Sequence, residues 1–202
     1  MSKAKTAVLV SGGGTNLQAL IDAEQAGRLP HVEFVSVIAS RPDAYALTRA
    51  RNAGIPTHVV SRKGSTQEDF EREILRLLEQ DQIQLIILAG FMSILSADFV
   101  GRYPRRILNV HPALLPAFGG KGYYGLHVHE AALARGVKVT GATVHYVNEI
   151  ADGGEIILQK AVDVLPGDTP ETLQRRVMEQ AEWRLLPQAA EIAALDILAR
   201  DN

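Results

Sequence analysis

The sequence contains no cysteine. That removes disulfide frameworks, thiolate metal sites and cysteine nucleophiles, and it fits the reducing, cytoplasmic setting we expect. Nor is there an excess of positive or negative charge. The net charge is −2 with no basic tail, so neither the balance nor its distribution suggests bulk binding to nucleic acid. An anionic ligand would have to be held by local donors. No apolar run is long enough to span a bilayer, and no signal-peptide core precedes the first strand; neither a membrane nor a nucleic acid is expected as partner. There is no internal repeat, low-complexity segment or interdomain linker. The 202 residues are therefore read as one domain, 1–202, long enough to bury a core without cross-links.

What is present is the alternation of an α/β protein. Thr6 to Ser11 reads as a buried strand, because Ala7, Val8, Leu9 and Val10 are continuous and apolar. A glycine loop follows, then a helix from Thr15 or Asn16 to Ala26, stopped by Gly27. Val32 to Ala39 is a second strand, Asp43 to Ala53 a helix closed by Gly54, and Pro56 to Val60 a short strand. Phe70, Ile74, Leu77 and Leu78 form an apolar stripe at helical spacing. Ile83 to Ala89 is wholly apolar apart from Gln84 and is placed centrally, and a short helix lies near Ser96 to Arg102. This predicts a single doubly wound, mostly parallel, Rossmann-like sheet. The pattern then changes. Val137 to Val147 and Glu155 to Val164 predict a C-terminal strand pair of mixed direction. Thr169 and Pro170 mark the start of a terminal helix, with a kink or split expected at Pro187.

Two motifs carry chemistry. Ser11-Gly12-Gly13-Gly14-Thr15-Asn16 joins the first strand to the first helix. Glycines let backbone amides approach an anion, and a helix N-terminus adds a favourable dipole. Three in succession exceed what a tight turn needs. Leu17 occupies the last glycine position of a dinucleotide fingerprint, no acidic residue ends the second strand at Ala39-Ser40-Arg41, and no lysine completes a Walker loop. A monophosphate fits best. The second motif is Asn109-Val110-His111-Pro112. Alternate strand residues share a face, so Asn109 and His111 project together at the carboxyl end of a strand, where open α/β sheets place ligands. An amide and an imidazole aimed at one point suit a developing oxyanion and a proton transfer. Asp152, about forty residues on, is a carboxylate able to orient the histidine and favour its charged form.

Each of these features also has a plainer structural reading. A lone strand-end histidine is more often structural, and Asp152-Gly153-Gly154 is also a good turn. Metal catalysis needs about three convergent ligands. His127 and His129 lie two apart near a helix start and point to different sides, so no metal site is expected from them together with His111 and His145. Phe118 to Gly125 reads as a long loop or a mobile lid.

These motifs, in this order, resemble the phosphoribosylglycinamide formyltransferase family, folate-dependent enzymes of purine synthesis. The resemblance rests on SGGGTNLQALIDA at 11–23, SRPDAYALTRARNAGIPTH at 40–58, LAGFMSILS at 88–96, NVHPALLPAF at 109–118 and ADGGEII at 151–157. It implies a formyltransferase-type fold, with residues 1–105 forming a phosphoribosyl-substrate half and 106–202 a catalytic and folate half. It implies direct transfer of a formyl group from 10-formyltetrahydrofolate, as co-substrate, to the amine of glycinamide ribonucleotide, through a tetrahedral intermediate and without a metal. Asn109, His111 and Asp152 fall on the family's catalytic positions. Gly13, Gly14, Thr15 and Asn16 fall on the ribonucleotide's phosphate side, with Glu182 a further contact. Met92, Ser93, Ile94, Leu95, Asn109, Asn148, Glu149, Ile150, Ala151 and Asp152 border the folate pocket. The implied partners are small molecules, and the implied state is a monomer or homodimer.

The chain departs from the family at Ser93, where many members carry arginine, and at Gln67, near another such position. Lys121 in the glycine-rich loop is the expected compensation for the folate's glutamate tail. Methionyl-tRNA formyltransferase shares the Asn-x-His feature but normally adds an RNA-binding domain. A hydrolase of formyl folate normally adds a regulatory one. A non-catalytic nucleotide-binding module would not need Asn109, His111 and Asp152.

Overall fold

In the computed structural model, residues 2–201 are described. One seven-stranded sheet has the order β3-β2-β1-β4-β5-β6-β7. Its centre is β1 (Ala4–Val10) beside β4 (Leu85–Leu88). Their unbroken apolar sequences suit strands covered on both faces. From β1 the chain winds outward through β2 (Val32–Ala39) to the short β3 (Thr57–Val59), then returns to β4 and continues to β5 (Ile107–His111), all in parallel. The direction of winding reverses between β1 and β4, and such a reversal opens a crevice at the strands' carboxyl ends. The expected mixed-direction pair is β6 (Val139–Tyr146) and β7 (Ile156–Asp163), antiparallel to each other, with β6 antiparallel to β5.

Helices cover both faces. Val8, Val10, Leu85 and Ile87 point to one side, against α1 (Thr15–Gln25) and α7 (Trp183–Asp201). Ala7, Leu9, Ile86 and Leu88 point to the other, against α3 (Gln67–Gln80) and α4 (Ala97–Arg102). The stripe Phe70, Ile74, Leu77 and Leu78 is the buried face of α3. The Thr66 hydroxyl caps that helix by accepting from the Asp69 N–H at 3.0 Å. Among the described residues no helix is long and apolar enough to cross a membrane.

Two local expectations need correction. The helix after β2 is α2 (Ala46–Asn52), shorter than Asp43 to Ala53. Its first residue gives its N–H to the Gly12 carbonyl at 3.1 Å, which ties the helix start to the glycine loop. Pro187 does not split the last helix. It lies inside α7, and the irregularity is a π-helical turn, Met178–Glu182, between α6 (Pro170–Val177) and α7. Pro187 follows within five residues of that turn, where α-type bonds are only being re-established. Its missing N–H costs one bond near a helix start and does not break a continuous ladder. Thr169 and Pro170 behave as expected, with Thr169 in a reciprocal capping box with Thr172.

Candidate active site

The register of β5 on β6 sets the site. Asn109 lies opposite His145 and His111 opposite Thr143, so four polar side chains share one face of an antiparallel strand pair. His111, Thr143 and His145 are buried. The Thr143 hydroxyl donates to the Ala113 carbonyl at 2.7 Å and accepts from the Leu115 N–H at 3.1 Å. That fixes the backbone just beyond His111.

The long connection from β6 to β7 carries Asp152 back over this face. Asp152 has φ +54, a left-handed conformation that an aspartate tolerates better than a bulky residue. The next turn requires glycine, because a Cβ on Gly154 would overlap the Tyr146 carbonyl oxygen. So placed, the carboxylate joins both expected partners. Asp152 Oδ1 accepts from Asn109 Nδ2 at 3.4 Å, and Oδ2 lies 3.4 Å from His111 Nδ1. Oδ2 also accepts from the Gly120 N–H at 2.8 Å. Burial pushes this carboxyl's pKa up, but the His145 contact, the Gly120 N–H and the two imidazoles together hold it below the usual value. Asp152 is a carboxylate at neutral pH.

His111 differs from expectation in its charge. Burial pushes its pKa below the ordinary 6.5, and the upward pushes of Asp152 and the Phe118 carbonyl do not restore it. The resting ring is neutral. Its Nε2–H donates to the Phe118 carbonyl at 2.7 Å, so the Nδ1 lone pair faces Asp152 Oδ2. One proton arriving at Nδ1 converts two facing acceptors into an ion pair. The geometry is that of a proton acceptor awaiting its proton.

The glycine loop leaves the carboxyl end of β1. Gly14 has φ +72, and a Cβ there would sit 2.6 Å from Ala46 Cβ, whereas a Cβ on Gly13 meets nothing within 4 Å. Gly14 is therefore needed by the fold, while Gly13 borders open space. Asn16 is buried and donates through Nδ2 to Glu182 Oε2 at 2.7 Å. Glu182 stands on the π turn, and burial pushes its pKa up to about 7, against the lowering effect of Asn16. The expected ribonucleotide residues Asn16 and Glu182 are thus in contact, and Asn16 Oδ1 has no partner among the described residues.

The remaining expected residues gather on the other side of Asp152. A cleft of about 470 Å³ is lined by Met92, Ser93, Ile94, Lys121, Ala151 and Asp152, among others. A smaller one of about 130 Å³ adjoins it, lined by Leu95, Asn109, Asn148, Glu149, Ile150 and Asp152 among others. Met92, Ile94 and Ile150 are exposed apolar side chains at this mouth. The two clusters are linked, since Ser11 Oγ at the start of the glycine loop accepts from the Met92 N–H at 2.9 Å. Gln67 donates to the Ile94 carbonyl at 2.9 Å and accepts from Arg62 Nη2 at 3.2 Å.

Sequence reasoning missed three contributors. The Phe118 carbonyl and the Gly120 N–H come from the segment read as a long loop or a mobile lid, and as backbone groups they left no side-chain signal. His145 was considered only as a metal ligand. Its alternation with Thr143 in β6 was the available sign that it shares a face. The expected separation of His127 and His129 is observed, with His127 exposed beside Glu130 and His129 fully buried.

Fold and site together define a doubly wound α/β protein with a small-molecule cleft at the carboxyl edge of its sheet. The chain belongs to the formyl transferase family, whose profile matches residues 4–190. It is 45% identical over 194 residues to the trifunctional purine biosynthetic protein adenosine-3 of Gallus gallus, covering 96% of this chain and 19% of that protein. The chain spans between 13% and 19% of the length of such trifunctional relatives. It is 42% identical to the phosphoribosylglycinamide formyltransferase of Haemophilus influenzae, covering 91% of this chain and 84% of that one. Among solved structures, glycinamide ribonucleotide transformylase 1 from Symbiobacterium toebii superposes with a TM-score of 0.89 at 40% identity, covering 96% of this chain and 89% of that one.

Proposed function

We propose that this chain transfers the formyl group of 10-formyltetrahydrofolate to the amine of glycinamide ribonucleotide, the step that its relatives' names describe, within de novo purine biosynthesis. The observation that carries the reading is the Asp152 carboxylate, which engages Asn109 through one oxygen and His111 through the other. This cluster lies beside the folate-side cleft, and the Ser11–Met92 hydrogen bond ties that side to the glycine loop. In this reading the Gly13 to Asn16 segment holds the phosphate through backbone amides, and Glu182 contacts the ribonucleotide. Residues 92–95 and 148–152 border the folate. The glycine-loop half, about 1–105, and the catalytic half, about 106–202, form one domain.

The mechanism follows from the atoms available. The substrate amine adds to the formyl carbon, and the carbonyl electrons move onto oxygen. The Asn109 N–H donates to that oxygen. The proton lost by the amine is taken up at His111 Nδ1, whose cation Asp152 Oδ2 then stabilises. His111 returns the proton to the departing folate nitrogen as its bond to the formyl carbon breaks. No covalent enzyme intermediate and no metal enters. The test is direct. Incubation with glycinamide ribonucleotide and 10-formyltetrahydrofolate should yield the formylated ribonucleotide, read by mass, with tetrahydrofolate in equal amount. Absence of that product, with the folded protein and both substrates present, overturns the reading.

A further inference from the structure

His145 takes no part in the scheme above, yet it is only 1% exposed and lies across the strand pair from Asn109. Its surroundings determine where its proton sits. Asp152 Oδ1 is an acceptor, so the Asn109 side-chain atom 3.4 Å from it must be the amide nitrogen. That same nitrogen lies 3.3 Å from His145 Nε2. An amide nitrogen only donates, so Nε2 must present its lone pair. The other ring nitrogen, Nδ1, must then carry the hydrogen, and it lies 2.9 Å from the Tyr146 carbonyl oxygen, which can only accept. Asp152 Oδ1 also lies near Nε2, but at 3.6 Å it is beyond hydrogen-bond reach. The two contacts within reach, one at each ring nitrogen, therefore call for the same tautomer.

We infer that His145, held as the Nδ1–H tautomer by the Tyr146 carbonyl, is a positioning residue that keeps the NH₂ end of the Asn109 amide turned towards Asp152 and the transfer centre. The carboxamide has two ends of nearly equal shape and opposite function. The NH₂ end stabilises an oxyanion and the carbonyl end repels one. Asp152 alone is a weak guard of that choice, because its contact with Asn109 is long, at 3.4 Å, and it stands on a connection that lines the cleft the substrates would enter. The His145 contact is of similar length, at 3.3 Å, but comes from a paired strand. His145 Nε2 is a second acceptor on the same nitrogen. It sits on the neighbouring strand, in register, where it is held whether or not a substrate is bound. The residue acts through Asn109 and does not touch the reacting atoms.

This inference rests on the formyl-transfer reading for its kinetic test but not for its spectroscopic one. Long-range ¹H–¹⁵N correlation on the ligand-free protein at neutral pH should show His145 Nδ1 as a protonated, pyrrole-type nitrogen and Nε2 as an unprotonated, pyridine-type nitrogen. The reverse pattern overturns the inference, whatever the protein catalyses. The kinetic arm compares His145→Phe, which removes the acceptor, with His145→Gln, whose side-chain oxygen can accept in its place. Loss of one oxyanion donor outright costs about 10²–10³ in kcat, so misdirecting it should lower the kcat of the Phe variant by about 10–100-fold. KM for both substrates should stay within about threefold, and the Gln variant should recover most of the loss. A Phe variant with near-normal kcat, or a Gln variant as slow as the Phe variant, overturns the inference. If His145→Phe does not fold, the tautomer measurement on the unaltered protein still decides. An inactive unaltered protein with the expected tautomer would count against the formyl-transfer reading and not against the positioning of Asn109.

Discussion

Around Asp152 the groups proposed to act in the reaction are side chains on an antiparallel strand pair and its connection, and they are engaged with one another. Asn109 is shared between His145 and Asp152, and His111 is held by the Phe118 carbonyl beside Asp152. The glycine loop is built the other way. Its end at Gly13 faces open space, and the side-chain oxygen of the buried Asn16 beside it has no partner among the described residues. On the proposed reading, the first region is organised as groups that meet a transition state must be, and the second would present backbone to an anionic ligand. Substitutions at the centre should therefore act on turnover, and those at the loop on ribonucleotide affinity.

The largest expected effect is at the centre. His111→Ala or Asp152→Asn should lower kcat by about 10²-fold or more, the scale of proton-transfer and oxyanion contributions. Circular dichroism should show the fold retained. The pH profile sharpens the point. Because burial holds the His111 pKa below 6.5, the neutral ring persists into mildly acid solution, and the acid limb of kcat/KM should fall below that value. Asp152→Asn removes an upward push on His111, so the limb of its residual activity should move further down. An upward move would contradict the assigned contact.

Next in size is the loop. Gly13→Val should raise the KM for the ribonucleotide by tenfold or more, about 1.4 kcal/mol or more, and leave the folate KM nearly unchanged. Gly14→Val is its counterpart. It should destabilise the fold by about 1–3 kcal/mol, from strain at a left-handed position and overlap with Ala46. Equal weakening of both substrates by Gly13→Val, with an unchanged Tm, would break the distinction between the two regions.

Glu182, the proposed ribonucleotide contact, also bears on stability. Its folded pKa of about 7 lies above the ordinary value of 4.5, so between those limits the folded state holds a proton that the unfolded state releases. Stability from this group is full below about pH 4.5 and is lost as pH rises to about 7. Glu182→Gln should leave the unfolding free energy nearly unchanged at pH 5 and raise it at pH 8, by on the order of a few kcal/mol, read as a higher Tm at pH 8 only. His129 has the opposite sign. Burial pushes its pKa down to about 4, so its contribution is lost as pH falls from about 6.5 towards 4. A Glu182→Gln shift of equal size at both pH values would place that carboxyl outside the buried pair with Asn16.

The smallest effect concerns the glutamate tail. Ser93 and Gln67 leave few fixed cations at the cleft, and Lys121 lines it. An exposed charge contact is worth about 0–1 kcal/mol. Any advantage of polyglutamylated over monoglutamylated folate in kcat/KM should therefore be within about fivefold, shrink in high salt and shrink in Lys121→Ala. An advantage untouched by either change would place the tail on another surface.

How far the sequence could be read follows from which forces act locally. The doubly wound order was legible because strand and helix periodicities are written residue by residue, as in the apolar β4 and the stripe Phe70, Ile74, Leu77 and Leu78. Asn109 and His111 were legible as a pair because a strand alternates. Asp152 was legible as a carboxylate able to orient His111, and the resemblance placed it in the site; its position depends on a turn with φ +54 and a glycine packed under Tyr146. His145 needed the register of β5 on β6, which no single strand encodes. Glu182 meets Asn16 through a π turn that has no sequence signature, and the expectation of a break at Pro187 missed it for that reason. Asp152 does push the His111 pKa up, as expected, but burial, which only the folded chain defines, outweighs it.

Rapid-quench single-turnover measurement of the chemical step, with both substrates saturating, tests the division between the two regions most directly. Asp152→Asn should form the formylated product about 10²-fold more slowly than the unaltered protein, and Gly13→Val should match the unaltered rate once its weaker binding is overcome. A Gly13→Val protein that stays slow at saturation, or an Asp152→Asn protein with a normal chemical step, would contradict the account.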